Sequence, residues 1–384
     1  MRKLFLMLAL LVASTLSAQQ TPAGDDTPMK DKVQIRWDLL ARYDRIEEIP
    51  RLPVNRSFNR SRIQFRPGLL FTPVPMASIE VRAALRADTE ENEFYKLVDG
   101  TFKTAPGFSL HQHLRYTGRS DNFAPNSIRL DRLNLQLRPN ESSNIFFGRF
   151  QDPFDTTEAM WDPDLQAQGL AGSYTLGQAA GFHSRMTGGV YLNTQMYGDR
   201  SVISAAQYTA MTSEQWPVTL TVSASYHDFD DLEVLATRNF RSNQTVELGG
   251  GKRKFLSQYR IGDVLVRIHS DRWKFPAEVY YDGIRNFGAK SLRDGLEAGI
   301  KLGQLAGAGT FRVSYIFQDL QRDAVMDGFN GDDWYLHSWY RGSLYRLGVG
   351  IWRDFAVQGT YVRLRHLETN FDTTRWMVDL VKRF

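Results

Sequence analysis

Residues 373–384 read TTRWMVDLVKRF, and their alternation decides the fold class. Trp376, Val378, Leu380, Lys382 and Phe384 fall on one side of an extended segment. Arg375, Met377, Asp379, Val381 and Arg383 fall on the other, because successive side chains of a strand point to opposite faces. One face is oily and the other mixed. In a soluble sheet the oily face packs on a core; in a membrane barrel it meets lipid while the mixed face meets water.

The same period recurs along the chain. In VTLTVSASYH, residues 218–227, Val218, Leu220, Val222, Ala224 and Tyr226 oppose Thr219, Thr221, Ser223, Ser225 and His227, a sorting that no helix achieves. Comparable segments carry Val33, Ile35, Trp37 and Leu39; Ile63, Phe65, Leu69 and Phe71; Ala77, Ile79, Val81, Ala83 and Leu85; Trp273, Phe275, Ala277, Val279 and Tyr281; and Phe311, Val313, Tyr315 and Phe317. Each approaches the roughly 9–11 residues with which a tilted strand crosses a bilayer. The opposite faces hold Arg36, Asp38, Glu80, Lys274, Glu278 and Asp282 among others, which suits a wetted surface. Charge is nearly absent from the oily faces, where a midplane Lys or Arg costs about 2–4 kcal/mol. Lys382 is placed so near the strand end that it can reach lipid headgroups. Trp37, Trp216, Trp273, Trp334, Trp352 and Trp376 lie near strand ends, as an interfacial belt requires.

Bulk properties agree. Mean hydropathy is −0.38, and beyond the N-terminal segment there is no run of about 18 apolar residues, so no spanning helix is predicted. Alternating strands average out in such a measure. The N-terminal segment MRKLFLMLALLVASTLSAQQ has two cations, an apolar run and then small residues, the layout of a signal peptide over 1–18. A short leader, 19–31, and a barrel, 32–384, follow from that division. Loss of Arg2 and Lys3 lowers the formal charge from +4 to +2, which argues against nucleic-acid binding. Without cysteine there is no disulfide scaffold and no thiolate metal site.

Loop lengths provide a count. Outer-membrane barrels alternate short turns at one end with longer loops at the other and usually have an even strand number. Strands at 33–43, 60–71, 77–86, 128–137 and 145–150 obey this alternation if 87–126, including FSLHQHLRY, forms one long external loop. Ile128 and Leu130 are out of phase with Leu133, Leu135 and Leu137, so a bulge is expected there. With 334–352 taken as one strand, the expectation is an all-β, antiparallel, up-and-down transmembrane barrel of about 16 strands, within a range of 16–18.

Residues 144–174, NIFFGRFQDPFDTTEAMWDPDLQAQGLAGSY, resemble the signature region of the putative porin family of Gram-negative outer membranes. The likeness rests on Gly148-Arg149-Phe150, Pro153-Phe154, Trp161-Asp162, Asp164-Leu165 and Gly169. Phe384 is similarly like the terminal signal by which the barrel-assembly machinery recognises its clients. The resemblance implies a water-filled channel for passive diffusion of small polar solutes and ions, set in lipid and lipopolysaccharide. By analogy with general porins it implies a third loop, 151–168, folded into the barrel, and a homotrimer.

Within that loop Asp152, Asp155, Glu158, Asp162 and Asp164 occur with no Lys or Arg. Facing inward from the early strands are Arg36, Arg42, Arg62, Arg66, Arg82 and Arg86, against Asp38, Asp44 and Glu80. An arginine wall opposite an acidic loop would set a transverse field across a narrow aqueous gap. The bland reading is local pairing of the arginines and solvation of the loop carboxylates. No catalytic set, cofactor or metal site is expected: His183-Ser184 lacks a G-x-S-x-G elbow and an acid partner, and DFDDLE, NGDDW and HQH lack a complete ligand pattern. Two competing classes are a barrel-type outer-membrane enzyme or adhesin and an exported soluble β-sandwich that binds glycans.

Overall fold

A computed structural model describes residues 32–49, 56–88, 127–179, 181–192, 201–212, 216–233, 235–236, 242–368 and 372–382. The proposed signal peptide and leader, the HQH motif and Phe384 lie outside these residues. In chain order the strands are β1 (Val33–Ile49), β2 (Arg56–Val74), β3 (Ala77–Asp88), β4 (Ser127–Leu137), β5 (Ser143–Gln151), β6 (Gln166–Ala179), β7 (Phe182–Leu192), β8 (Val202–Thr212) and β9 (Thr219–Asp230). There follow β10 (Thr245–Gly249), β11 (Lys252–Phe255), β12 (Tyr259–Ser270), β13 (Ala277–Asn286), β14 (Asp294–Gly303), β15 (Phe311–Leu320), β16 (Tyr340–Trp352), β17 (Phe355–His366) and β18 (Asp372–Lys382).

Sixteen of these strands form one closed antiparallel barrel, each paired with its neighbour in sequence and β1 with β18; β10 and β11 form a separate hairpin between β9 and β12. Closure satisfies every wall strand on both edges, which hydrocarbon demands. Tight turns such as Pro75-Met76 and Arg353-Asp354 gather at one end, and the longer connections at the other.

The alternation places side chains as the sequence requires. Ile35, Ile63, Leu69, Val279, Val313 and Val378 are exposed on the outer surface, whereas Arg62, Gln64, Ser223, Asp282, Gln318 and Asp379 are buried on the inner one. At the turn end the outer surface carries paired aromatics: Trp352 stacks on Phe355 at 5.7 Å, Phe275 meets Phe311 at 5.0 Å, and Phe182 meets Trp216 at 6.2 Å. Instead of reaching for headgroups, the Lys382 ammonium lies 3.6 Å from the centre of the Trp37 ring. At the loop end the outer surface bears arginines, each held by a carboxylate: Arg45 by Glu47, Arg285 by Asp294, Arg341 by Asp319 and Arg365 by Asp372, all within 2.8 Å. The apolar band lies between these two rims.

Two parts of the wall differ from the sequence reading, and the bulge expected in β4 is present. The strand expected over 334–352 begins at Tyr340; Trp334 is fully buried in a short 3₁₀ turn, Asp332–Trp334, and belongs to no belt. Continuous apolar character could not separate a strand from a packed loop there. The first two strands run past 43 and begin before 60, reducing the expected loop to a short link because charged Asp44 and Arg60 face the lumen and pair with each other at 2.6 Å. In β4 the register shifts opposite Arg82 and Ala83, and the extra residue is Asp131, turned fully inward.

Candidate functional site: the lumen constriction

The site starts with two glycines. Gly148 on β5 faces Gly169 on β6, both with positive φ (108° and 148°), and a Cβ added to either would lie 2.3 Å or 2.1 Å from a neighbouring carbonyl oxygen. Only glycine fits this close backbone approach. Just beyond them the wall is low, since β5 spans 9 residues, and the chain between β5 and β6 turns into the barrel.

Residues 152–165 then run along the inner surface of the far wall. Asp152 accepts from the Tyr191 hydroxyl of β7 at 2.7 Å. Asp155 accepts from Ser223 of β9 at 3.0 Å and pairs with Arg267 of β12 at 3.1 Å. The Thr157 hydroxyl donates to Asp282 of β13 at 2.5 Å, and the Ala159 N–H to Glu297 of β14 at 2.8 Å. On the return Asp164 meets Arg66 of β2 at 2.8 Å. Phe154, Trp161 and Tyr191 fill the space between loop and wall; Trp161 and Tyr191 are 5.9 Å apart.

A second inward segment, 321–339, locks onto the first. The Asp162 N–H donates to the Phe329 carbonyl at 2.6 Å, the Gly331 N–H to the Glu158 carbonyl at 2.7 Å, and Trp161 packs on Phe329 at 5.4 Å. Asp333 from this segment is gripped by Arg42 at 2.5 Å and Arg346 at 2.8 Å. Burial alone would raise the Asp333 carboxyl, but Arg42, Arg346 and Arg375 together hold it well below the usual carboxylate range. Arg375 also donates to the carbonyls of Asp332 and Asp333, at 2.6 Å and 3.0 Å, and to Asp44 through both ends of its guanidinium fork.

Between the loops and β1–β4 remains a cavity of about 570 Å³, and a smaller one of about 320 Å³ lies toward β12–β16. Arg36, Arg66, Arg82 and Arg132 line one side of the larger; Glu158, Asp162, Asp164 and Asp333 line the other. The arginines expected from sequence therefore divide. Arg36, Arg66 and Arg82 reach this space along with Arg42, whereas Arg62 and Arg86 are buried elsewhere in the inner wall. Arg66 and Arg82 share Asp38, at 2.5 Å and 3.3 Å, and Arg82 also binds Asp131 at 2.5 Å. Of the loop acids, Glu158, Asp162 and Asp164 border the larger space, Asp152 borders the smaller, and Asp155 is turned to the far wall.

Sequence reasoning missed Asp131, Arg132, Asp333, Arg346 and Asp379. Asp333 lies in the NGDDW stretch, where its oxygens are taken by guanidinium groups; the signal was the set of inward arginines at 42, 346 and 375 with too few inward carboxylates to answer them. His183 and Ser184, consecutive on β7, point to opposite faces, and Ser184 accepts from the Tyr208 hydroxyl at 3.1 Å.

The model of a family described as "Putative porin" matches residues 78–216, from β3 to just past β8 and including the whole third loop. Pseudomonas putida OprB, in its high pH structure, aligns with TM-score 0.58 and 11% identity over 93% of this chain and 95% of that one. Salmonella typhi OmpF, solved in complex with daunomycin, aligns with TM-score 0.49 and 11% identity over 92% of this chain and 98% of that one. The OprB likeness speaks to the fold alone. No curated protein sequence matches the chain. The closed sixteen-stranded wall, with its exposed apolar band and polar interior, accompanies this match, and over residues 78–216 the chain is similar to the putative porins.

Proposed function

We propose that the larger cavity is the selective constriction of this porin, with Arg36, Arg66 and Arg82 on one side and Glu158, Asp162 and Asp164 on the other. One observation carries the reading: the acidic return of the third loop comes within 2.8 Å of the arginine wall, at Asp164 and Arg66, so opposite charges line a single aqueous gap. A field across low-dielectric walls aligns polar solutes and disfavours apolar ones, which must shed water without compensation. Passive diffusion of small polar solutes and ions follows. Asp152 and Asp155 act from the side, as anchors that hold the loop to β7, β9 and β12. Arg62 and Arg86 contribute to the potential of the inner wall. The lumen is used for passage, and its guanidinium and carboxylate groups are arranged in ion pairs.

Export by residues 1–18, recognition of Phe384 by the assembly machinery, a lipopolysaccharide surround and a homotrimer complete the proposal. They rest on the sequence and on the porin likeness.

Planar-bilayer recording under a salt gradient tests the constriction. Neutralising Glu158, Asp162 and Asp164 together as Gln and Asn is expected to shift the reversal potential toward anions, with about a twofold or larger change in permeability ratio. Unchanged conductance and ion preference in that variant would remove the constriction from this cavity.

A further inference from the structure

The smaller cavity, about 320 Å³, lies between the third loop and the wall formed by β12–β16. Its cations come from three neighbouring strands and meet around one small residue. In the register of β14, β15 and β16, Ser314 stands directly opposite Lys301 on one side and Arg346 on the other. Arg312 lies two residues away on β15 and so on the same face. Ser314 is buried in the inner wall, and it borders the cavity together with all three cations. A short hydroxyl side chain thus forms the floor of a hollow ringed by an ammonium and two guanidinium groups.

Neighbouring groups steer these cations without using every donor. Lys301 donates to Glu278 at 2.8 Å and lies 4.9 Å from the centre of the Tyr280 ring, whereas an ammonium has three donors. That ring is itself laid across Gly299, where an added Cβ would come within 2.5 Å of it. Arg346 donates to Asp333 at 2.8 Å and to the Thr360 hydroxyl at 3.3 Å, and its remaining nitrogen comes no nearer to Glu158 than 3.7 Å. Arg312 donates to the Gln358 amide oxygen at 3.4 Å. Two of the acids bordering the cavity face other donors: Glu297 accepts from Tyr280, Gln318 and the Ala159 N–H, and Asp152 from Tyr191. Arg267, the fourth cation there, is engaged by Asp155 and Glu278.

We infer that Lys301, Arg312 and Arg346, with the Ser314 hydroxyl, hold a phosphate group, free or as a small monoester, on its way through the lumen. The inference rests on the porin reading, since the lumen is the route by which the anion arrives. Shape selects this occupant. Donors that converge from three strands onto a hydroxyl match the several oxygens of a tetrahedral dianion, while a planar carboxylate offers only two. The site stands on the wall opposite Arg66 and Arg82, so a solute that clears the constriction meets a second cluster of cations.

The test records the full-length barrel in planar bilayers at constant ionic strength while inorganic phosphate, glycerol phosphate or acetate replaces chloride, and follows the same titrations by calorimetry in detergent. Phosphate is expected to block the wild-type current saturably, and acetate to do so only at about tenfold or higher concentration. K301Q/R312Q should raise the half-blocking phosphate concentration by about tenfold or more, because two charge-assisted hydrogen bonds are lost. Ser314→Asp, which sets a carboxylate where the anion would rest, should abolish both block and calorimetric binding; a heat-resistant band checks that each variant is folded. Tighter binding of glycerol phosphate than of phosphate supports the site with the ester as its occupant, and equal binding supports it with the free anion. Equal block of wild type and K301Q/R312Q overturns the inference, as does equal block by phosphate and acetate. Loss of binding in Arg82→Gln with retention in K301Q/R312Q also overturns it, by moving the anion to the larger cavity. A wild type that binds phosphate in solution but carries no current would count instead against the porin reading.

Discussion

Asp152 meets a hydroxyl where its neighbours in the loop meet guanidinium groups or the aqueous gap. Burial pushes its carboxyl up to about 7, with the Tyr191 hydroxyl and the Phe154 N–H pulling the other way. A carboxyl whose folded value is raised binds more protons in the folded state, so its contribution is complete below its ordinary value near 4 and is lost as pH climbs through 7. Asp333 has the opposite sign, and its contribution is lost only when acid reaches its depressed value. The thermal midpoint of the wild type should therefore fall by roughly 2–4 °C between pH 5 and 8, and Asp152→Asn should flatten that slope. A slope that survives the substitution would assign it to another group. Gly148→Ala is a harsher change: with φ at 108° and the Leu133 carbonyl 2.3 Å from the new carbon, the β4–β5 contact opens and the yield of heat-resistant folded barrel drops. The conductance of whatever folds should be altered too, because the third loop leaves the wall three residues later.

Among the elements, the two inward segments form one unit, and the sequence disclosed only half of it. The third loop was expected inside the barrel from the alternation of loop lengths and the likeness to general porins, and its five carboxylates without a cation marked it as acidic. The wall was legible for a simpler reason: lipid on one side and water on the other impose period two, so Val33–Leu39 and Val218–Tyr226 could be assigned without knowing any partner. The same reasoning put a bulge in β4, where the structure has Asp131. Segment 321–339 offered no comparable pattern. Its side chains are buried by contacts with residues far away in sequence, such as Phe329 on Trp161 and on Phe229, at 5.4 Å and 5.3 Å, and no period records such contacts. The pairing of Arg66 with Asp164 was likewise hidden, since sequence gives the face of a strand but not how far a loop reaches across. Phe329→Ala removes the ring that joins the segments and should raise single-channel conductance and current noise; a quiet channel of unchanged size would mean that backbone bonds alone hold the pair.

For the whole molecule, stability lies in the ladder of the wall and in the ion pairs that cross its closing seam. Arg42 binds Asp379 and Arg375 binds Asp44, each through two nitrogens, across the junction of β1 and β18. Arg375 and Asp44 are both buried, so Arg375→Met leaves an acid with Arg60 as its remaining close cation and should cost about 3 kcal/mol, read as a lower temperature for loss of the heat-resistant band. Wild-type midpoints from the Met replacement would show the seam indifferent to that pair. The outer surface makes a coarser prediction: without detergent or lipid the purified barrel aggregates, because its apolar band is exposed.

The seam also sets an order of events. Its ion pairs join residues more than 300 positions apart, and the same arginines grasp Asp333 and the carbonyls beside it. Until the final strand arrives the second inward segment lacks the hold of Arg375 on the Asp332 and Asp333 carbonyls, and its brace on the third loop is incomplete. Selectivity is thus the last property the nascent protein acquires, and a chain cut short before β18 would leave, at best, an unguarded hole.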